Sequence, residues 1–466
     1  MTAADSSAHR RWPAEVFKAY DIRGIVPDTI NAPFAHALGR ALAEHAHAAG
    51  VGAFVVGRDG RTSGPELAQA LQEGILAGGV DVIDIGRVPT PLVYFAAHTQ
   101  QTGSGVAITG SHNPPRYNGF KMMLGGDTLF GERIQELART MAQDLPQRPR
   151  GNRRELDVVS PYVQRITSDV RLKRSLKVAI DCGNGVAGAV APGLYRALGC
   201  EVIELFCEVD GTFPNHHPDP ADPHNLQDLI RAVREEGCDV GLAFDGDGDR
   251  LGVVTRSGEI IWPDRQLMLF ARDVLQRNPG AQIIYDVKCS RYVAQEVRAA
   301  GGVPVMWRTG HSYIKDKLRQ SGAPLAGEMS GHIFFKERWF GFDDGLYSGA
   351  RLLEILSAYA DPSAVLEALP QAVSTPEIKL ATAEGEQFEL VAALQREGQF
   401  AGAQEIVTID GVRVEYADGF GLARASNTTP VVVLRFEADD TTALERIQQQ
   451  FRDQIRRIAP QAELPF

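Results

Sequence analysis

The chain predicts an α/β fold: three topologically similar α/β domains with mixed sheets, and a smaller C-terminal α+β domain, around a central cleft. Three observations carry this expectation. At 466 residues the chain exceeds what one hydrophobic core organises. Before residue 370 it repeats one strand–helix–strand unit, closed by a third strand, three times over. After residue 372 the texture changes to short strands and one long amphipathic helix.

In each repeat an apolar run ends in a polar, Gly-rich loop: GAFVVGRDGRTSG at 52–64, KVAIDCGNGVAG at 177–188 and QIIYDVKCSRY at 282–292. Helix-patterned segments follow, as at 66–78 and 291–301, and then second apolar runs at 80–91, 200–214 and 302–312. Third strands close the units in GVAITGSHNP (105–114), VGLAFDGDGDR (240–250) and PLAGEMSGH (324–332). Such sheets bind ligands at the loops beyond the carboxyl ends of their strands. Ser111, the aspartates at 245–249 and the polar run at 328–332 all follow a third strand, so three loops are expected to share one cleft.

In the last quarter we expect a strand over 373–380, a helix over 384–396, and strands near 406–409 and 412–416 joined by the Asp410-Gly411 turn. The strand VVVLRFE (431–437) and a helix over 443–458 complete it. Apolar residues at 444, 447, 451, 455 and 458 make that helix a packing helix rather than a membrane span. Domains are placed at 1–156, 157–259, 260–371 and 372–466. Arg148-Pro149-Arg150-Gly151-Asn152 lies near the first junction, and Asp361-Pro362 and Leu369-Pro370 near the last.

The composition, 44% hydrophobic and 23% charged, is that of an ordinary globular protein. A net charge of −11 argues against nucleic acid as a partner but leaves room for a locally basic cleft that takes anions. Five cysteines (182, 200, 207, 238, 289) form no CxxC pair, and their odd count speaks against a disulfide framework. Buried free thiols in a reducing cytoplasm are expected instead. The start MTAADSSAHRRWP has no apolar signal region, and no stretch of 18 apolar residues occurs. The reading is a soluble, cytoplasmic monomer with no membrane partner. His36, His45 and His47 read as surface residues, and His216 and His217 receive no role.

Two loops carry the sharpest chemistry. Thr109-Gly110-Ser111-His112-Asn113-Pro114-Pro115 holds a hydroxyl on a tight turn at a strand end, ten residues before Lys121. Asp245-Gly246-Asp247-Gly248-Asp249-Arg250 alternates three carboxylates with glycine directly after the apolar GLAF. Brought together, those charges repel, so a cation is expected among them. An EF-hand would need Gly and Glu where Arg250 and Arg256 stand. Aspartates followed by Arg250 suit Mg²⁺ with a phosphate instead. A rival reading makes Asp245 an aspartyl-phosphatase nucleophile. Such a nucleophile ordinarily opens its domain's first strand, whereas Asp245 follows a third.

The remaining loops have the character of a sugar-phosphate site. Gly327-Glu328-Met329-Ser330-Gly331-His332 offers a carboxylate for neighbouring hydroxyls, and Arg424-Ala425-Ser426-Asn427-Thr428-Thr429-Pro430 the makings of a phosphate clamp. Tyr20, Arg23, Lys288 and the run Thr309-Gly310-His311-Ser312 add polar groups at predicted loops.

On FKAYDIRG, TGSHNPPRYNGFK, DGDGDRLG, GEMSGH and GLARASNTTP, in that order, the chain resembles the α-D-phosphohexomutases over essentially everything from residue 16 onward. Within them it is most similar to the bacterial bifunctional phosphomannomutase/phosphoglucomutases. The resemblance implies four domains, three alike, and phosphoryl transfer between C1 and C6 of mannose and glucose phosphates through a hexose 1,6-bisphosphate. It implies phosphoserine at Ser111, with Mg²⁺ held there by Asp245, Asp247 and Asp249. Arg23, Lys121, His332 and Arg250 would surround the transferring group, with Lys121 and His332 both open as general base. Glu328 and Ser330 would take sugar hydroxyls, and Arg424, Ser426, Asn427 and Thr428 the phosphate already on the substrate. Tyr20, Lys288, Thr309, Gly310 and His311 would make further substrate contacts.

Overall fold

The computed structural model describes residues 12–427 and 429–466. The first eleven residues, read above as lacking a signal region, and Thr428, assigned to the phosphate clamp, lie outside the described residues. The described chain divides into two compact units, one formed by residues up to 261 with 330–367, the other by 262–329 with 368 onward.

The first unit holds two mixed sheets built on one plan. In one, Ala53–Arg58 lies between Asp81–Arg87 and Gly105–Ile108, all parallel. In the other, Lys177–Asp181 lies between Glu201–Leu205 and Val240–Phe244, again all parallel. Each third strand then returns into an antiparallel partner: Gly105–Ile108 into Tyr117–Leu124, and Val240–Phe244 into Leu251–Thr255. The Ser111 and aspartate loops are therefore hairpin connections, pinned at both ends by ladder hydrogen bonds. The strand Ile22–Ile25 pairs along the outer side of Tyr117–Leu124 and sets Arg23 opposite Gly119. Helices Ala32–Ala49 and Gly64–Ala77 bury Leu38, Leu42, Leu71 and Ile75 with Phe54, Val56, Val106 and Ile108 of the first sheet.

The same strand order recurs in the second unit, where Gln282–Asp286 lies between Val303–Trp307 and Leu325–Gly327, all parallel. Its other sheet is antiparallel, in the order Val373–Ser374, Val431–Ala438, Gly419–Ala425, Val412–Tyr416, Glu405–Val407. Helices Glu386–Glu397 and Thr441–Ile458 join its core through Leu390, Leu394, Leu444, Ile447, Phe451 and Ile455.

The three-fold repeat and the smaller C-terminal domain are thus as expected, with local differences. The strand expected over 373–380 is two pieces, Val373–Ser374 and Ile378–Ala381, both paired with Val431–Ala438. Pro376 between them has no N–H to give the ladder. Gly419–Ala425, given no element above except that its last two residues were read as loop, is a strand. Its glycines serve close packing, since a Cβ on Gly421 would lie 2.3 Å from Phe451. Arg153–Glu155, beyond the polar segment read as a junction, pairs in parallel with Asp81–Arg87. The five thiols are free, four of them buried and Cys207 half-buried. His36 and His47 are exposed, whereas His45 is half-buried against Thr140 (3.0 Å). Among the described residues no helix is long and apolar enough to cross a membrane.

Candidate active site

Ser111 stands in the first hairpin loop with φ at +49°, the left-handed region. Thr109 Oγ1 accepts its N–H at 2.7 Å. Its buried Oγ donates to Asp245 Oδ2 at 3.0 Å and lies 3.2 Å from His112 Nδ1. Gly246 permits this approach, for a Cβ there would sit 2.3 Å from the Ser111 carbonyl oxygen.

The carboxylates of Asp245, Asp247 and Asp249 bring ligand atoms within 4.8 Å of one another, all three side chains fully buried. Burial and the neighbouring carboxylates push Asp245 and Asp249 up to about 7. Asp247 goes the other way: against the cost of burial, the Lys121 ammonium and hydrogen bonds from Lys121 and Thr90 hold it well below the carboxylate range. Lys121 Nζ reaches Asp247 at 2.8 Å and Asp249 at 2.5 Å. Although burial works against its charge, those two partners raise its pKa well above the usual value. Asp247 Oδ1 and Asp249 Oδ1 are buried without a hydrogen-bond donor. Two orphaned carboxylate oxygens in a crowded acidic pocket are what a small, hard divalent cation satisfies. The donor set therefore fits a metal ion.

Three further groups line this cluster. Arg250 Nε donates to Asp245 at 2.9 Å, and Arg23 Nη2 to Asp21 at 2.5 Å while its Nη1 donates to Asn113. Arg250 Nη2 and Arg23 Nε are buried donors with no protein acceptor, which suits them to phosphate oxygens. His332 Nδ1 lies 3.1 Å from Asp343 and 3.5 Å from Asp249.

In the second unit the polar residues hold one another. Lys288 Nζ pairs with Glu377 at 2.7 Å. Arg424 Nε donates to Asp410 Oδ2 at 2.6 Å, and the same oxygen accepts the Thr309 N–H at 2.9 Å. Thr309 Oγ1 donates to Asp286 at 2.7 Å, the Gly310 N–H donates to Glu328, and His311 opens the helix His311–Ser321. Ser426 Oγ lies 3.0 Å from Thr429 Oγ1.

Four family models match in sequence along the chain. They are described as phosphoglucomutase/phosphomannomutase alpha/beta/alpha domain I (residues 14–147), domain II (160–258), domain III (262–373) and the C-terminal domain (377–454). A phosphoglucomutase of Neisseria meningitidis is 58% identical over 441 residues, spanning 94% of this chain and 96% of that protein. The chain belongs to the phosphoglucomutase/phosphomannomutase family. It is an isomerase. A phosphomannomutase/phosphoglucomutase of Pseudomonas aeruginosa is 54% identical over 455 residues, 97% of this chain and 98% of that one. The crystal structure of a phosphoglucomutase/phosphomannomutase family protein from Burkholderia thailandensis superposes with a TM-score of 0.94 at 57% identity, covering 98% of this chain and all of that one.

For this phosphoglucomutase/phosphomannomutase family chain, the structure gathers Ser111, the three aspartates, Arg23, Lys121, Arg250 and His332 into one cluster of the first unit. Tyr20 and Ser330 belong to that unit too, both half-buried. Lys288, Thr309, Gly310, His311, Glu328, Arg424, Ser426 and Asn427 belong to the second. The loop expected to carry Glu328 and Ser330 together thus crosses from one unit to the other.

Sequence reasoning missed several partners. Thr90 donates to Asp247 Oδ2 at 2.6 Å and its N–H to the Asp247 carbonyl at 2.9 Å. Asp410 was read as a turn residue and Glu377 only as part of a strand, yet each anchors a cation of the second unit. His216, given no role, lies 3.0 Å from Asp181; burial lowers its pKa, but that carboxylate more than compensates and raises it. Only a polar residue in an apolar context, such as Thr90 before PLVYFAA, could have signalled any of these.

Proposed function

We propose that this isomerase moves a phosphoryl group reversibly between C1 and C6 of glucose and mannose phosphates, through phosphorylated Ser111 and a hexose 1,6-bisphosphate. The observation that carries this reading is the buried Ser111 Oγ, 3.0 Å from Asp245 and facing a carboxylate cluster fit for a cation. The relatives' names supply the sugars: phosphoglucomutase for the Neisseria protein, phosphomannomutase/phosphoglucomutase for the Pseudomonas one.

Asp245, Asp247 and Asp249, with the Ser111 phosphate, would hold Mg²⁺, whose charge would offset that of the transferring group. In the first half-reaction the bond from Ser111 Oγ to phosphorus breaks and one from the free hexose hydroxyl to phosphorus forms. Arg23 Nε and Arg250 Nη2 donate to the phosphoryl oxygens as charge spreads over them. Lys121, held cationic by two aspartates, neutralises charge and is a poor base. His332 then takes the hydroxyl's proton, oriented by Asp343 at 3.1 Å. The bisphosphate turns over and returns its other phosphate to Ser111, so Arg424, Ser426, Asn427 and Thr428 accept a phosphate on C1 or C6. Glu328 and Ser330 take sugar hydroxyls, with Tyr20, Lys288, Thr309, Gly310 and His311 as further contacts.

Four domains with boundaries near 156, 259 and 371, a monomeric state and a cytoplasmic location belong to the same proposal. Intact-mass measurement with phosphopeptide mapping tests its centre. One phosphate on Ser111, transferable to hexose phosphate, is expected. A phosphate mapped to Asp245 would overturn it.

A further inference from the structure

Arg61 has no role in the reading above, yet all five of its N–H donors are engaged at the base of the Ser111 loop. Nη2 donates to the carbonyls of Ser111 (2.8 Å) and Asn113 (2.6 Å), and Nη1 to those of Pro114 (2.7 Å) and Tyr117 (2.8 Å). Nε donates to Asp59 Oδ2 at 3.1 Å. Asp59 completes the grip by accepting the Arg61 N–H at 2.9 Å and the Gly110 N–H at 3.2 Å. The guanidinium is fully buried. Gly110 lies flat against it, for a Cβ there would sit 2.4 Å from Arg61 Cζ. Phe213 covers it with its ring centroid 5.2 Å away.

One planar side chain thus collects four carbonyls of a single loop, the candidate nucleophile's own among them. The left-handed backbone at Ser111 disfavours a non-glycine residue by about 1–2 kcal/mol. Such a conformation persists only where the surroundings impose it. We propose that Arg61, buttressed by Asp59, is the positioning residue of the phosphoryl-transfer site, fixing the Ser111 loop so that Oγ faces Asp245. The proposal rests on Ser111 being the phosphorylated nucleophile.

Lysine keeps the charge but has three donors and no planar fork, so Arg61→Lys removes the geometry while keeping the cation. We expect kcat to fall about 100-fold, the scale of an ångström's misplacement at a reacting atom. KM for glucose 1-phosphate should stay within about twofold, the mark of an interaction made at the transfer step. Phosphorylation of the enzyme by glucose 1,6-bisphosphate should slow in parallel. The thermal shift that Mg²⁺ gives the dephosphorylated enzyme should not change, because the three aspartates lie on another loop. If Arg61→Lys does not fold, the isosteric Asp59→Asn decides, with a kcat loss of about tenfold expected at unchanged KM. A lowered Tm with wild-type kcat per folded molecule would mean a purely structural role and overturn the proposal. Ser111→Ala is run alongside. Full activity there would remove the Ser111 reading, whereas a dead Ser111→Ala beside a fully active Arg61→Lys removes only the role of Arg61.

Discussion

Lys121→Met takes away an ammonium that touches Asp247 at 2.8 Å and Asp249 at 2.5 Å in a fully buried cluster. The thioether keeps most of the side chain's volume, so the perturbation is one of charge. Removing one partner of a buried ion pair costs about 3–5 kcal/mol, because the other charge is left uncompensated. Asp249, pushed up to about 7, can relieve itself by taking a proton. Asp247 keeps the Thr90 hydroxyl at 2.6 Å. The loss in metal-free protein should therefore sit at the lower end, about 3 kcal/mol. For a unit of about 300 residues, unfolding with ~2.1 cal/mol/K per residue, that lowers Tm by about 5 °C. Mg²⁺ has the opposite effect. With no ammonium left to repel the ion, and with Asp249 giving up its proton as the ion binds, the variant should bind the cation more tightly and gain more from it, by the mass-action rule for ligands of the folded state. Thermal melts at pH 8 in EDTA and along a Mg²⁺ titration read both quantities. Equal Tm values in EDTA, or a Mg²⁺ shift no larger than that of the wild type, would refute the argument.

Three further outcomes are expected. Asp344, buried beneath Tyr162 and capping the helix Gly345–Leu356, has its carboxyl pushed up to about 7 by burial. The fold then retains a proton that the unfolded chain releases near pH 4, so stability is full below that value. It falls as pH rises towards 7, by on the order of 4 kcal/mol. Asp344→Asn keeps the cap and should flatten this slope; urea unfolding at pH 5 and pH 8 tests it, and a variant less stable than wild type at pH 8 would contradict it. Asp410→Ala removes the acceptor shared by Arg424 Nε and the Thr309 N–H, and should raise KM about tenfold with little change in kcat, charged hydrogen bonds being worth about 1.5–3 kcal/mol each. Glucose 1-phosphate and mannose 1-phosphate should be used with efficiencies within about tenfold, because Glu328 and Ser330 are assigned hydroxyls that both sugars share. Glu328→Ala should harm both alike, and a loss confined to one sugar would show that O2 is read.

The repeat was legible because each unit buries apolar runs that stop abruptly in Gly-rich polar loops, a signal local in sequence. Arg153–Glu155 was not, because three charged residues carry no alternation and only the exposed edge beside Asp81–Arg87 gives them a place. Gly419–Ala425 hid behind glycines, which weaken a strand pattern, yet Gly421 is needed because Phe451 packs against it. The site shows the same division. Residue types announced Ser111 and the aspartates, whereas their partners are tertiary facts. Thr90 stands 157 residues from Asp247, and Lys288 stands 89 from Glu377. Arg61 was written in an ordinary strand-end loop, and only the inward turn of four carbonyls reveals what it does.

The two units differ in how firmly they hold their polar groups, and the proposed chemistry asks for that difference. Phosphoryl transfer repeats at one fixed point, so preorganised charge serves it best. There the structure supplies hairpins pinned at both ends, a guanidinium with every donor engaged and an ammonium between two aspartates. A hexose bisphosphate that turns over must instead be recognised in two orientations. Asp410 accepts from Arg424 at 2.6 Å, and Glu377 pairs with Lys288 at 2.7 Å. Carboxylates are anions, as phosphate is, so each keeps its cation charged and extended while the site is empty. On the proposed reading, a phosphate would meet each cation already charged and extended beside its carboxylate. A rigid donor cage would favour one orientation and trap it; a cation shared between a protein carboxylate and a substrate phosphate can let go and take hold again.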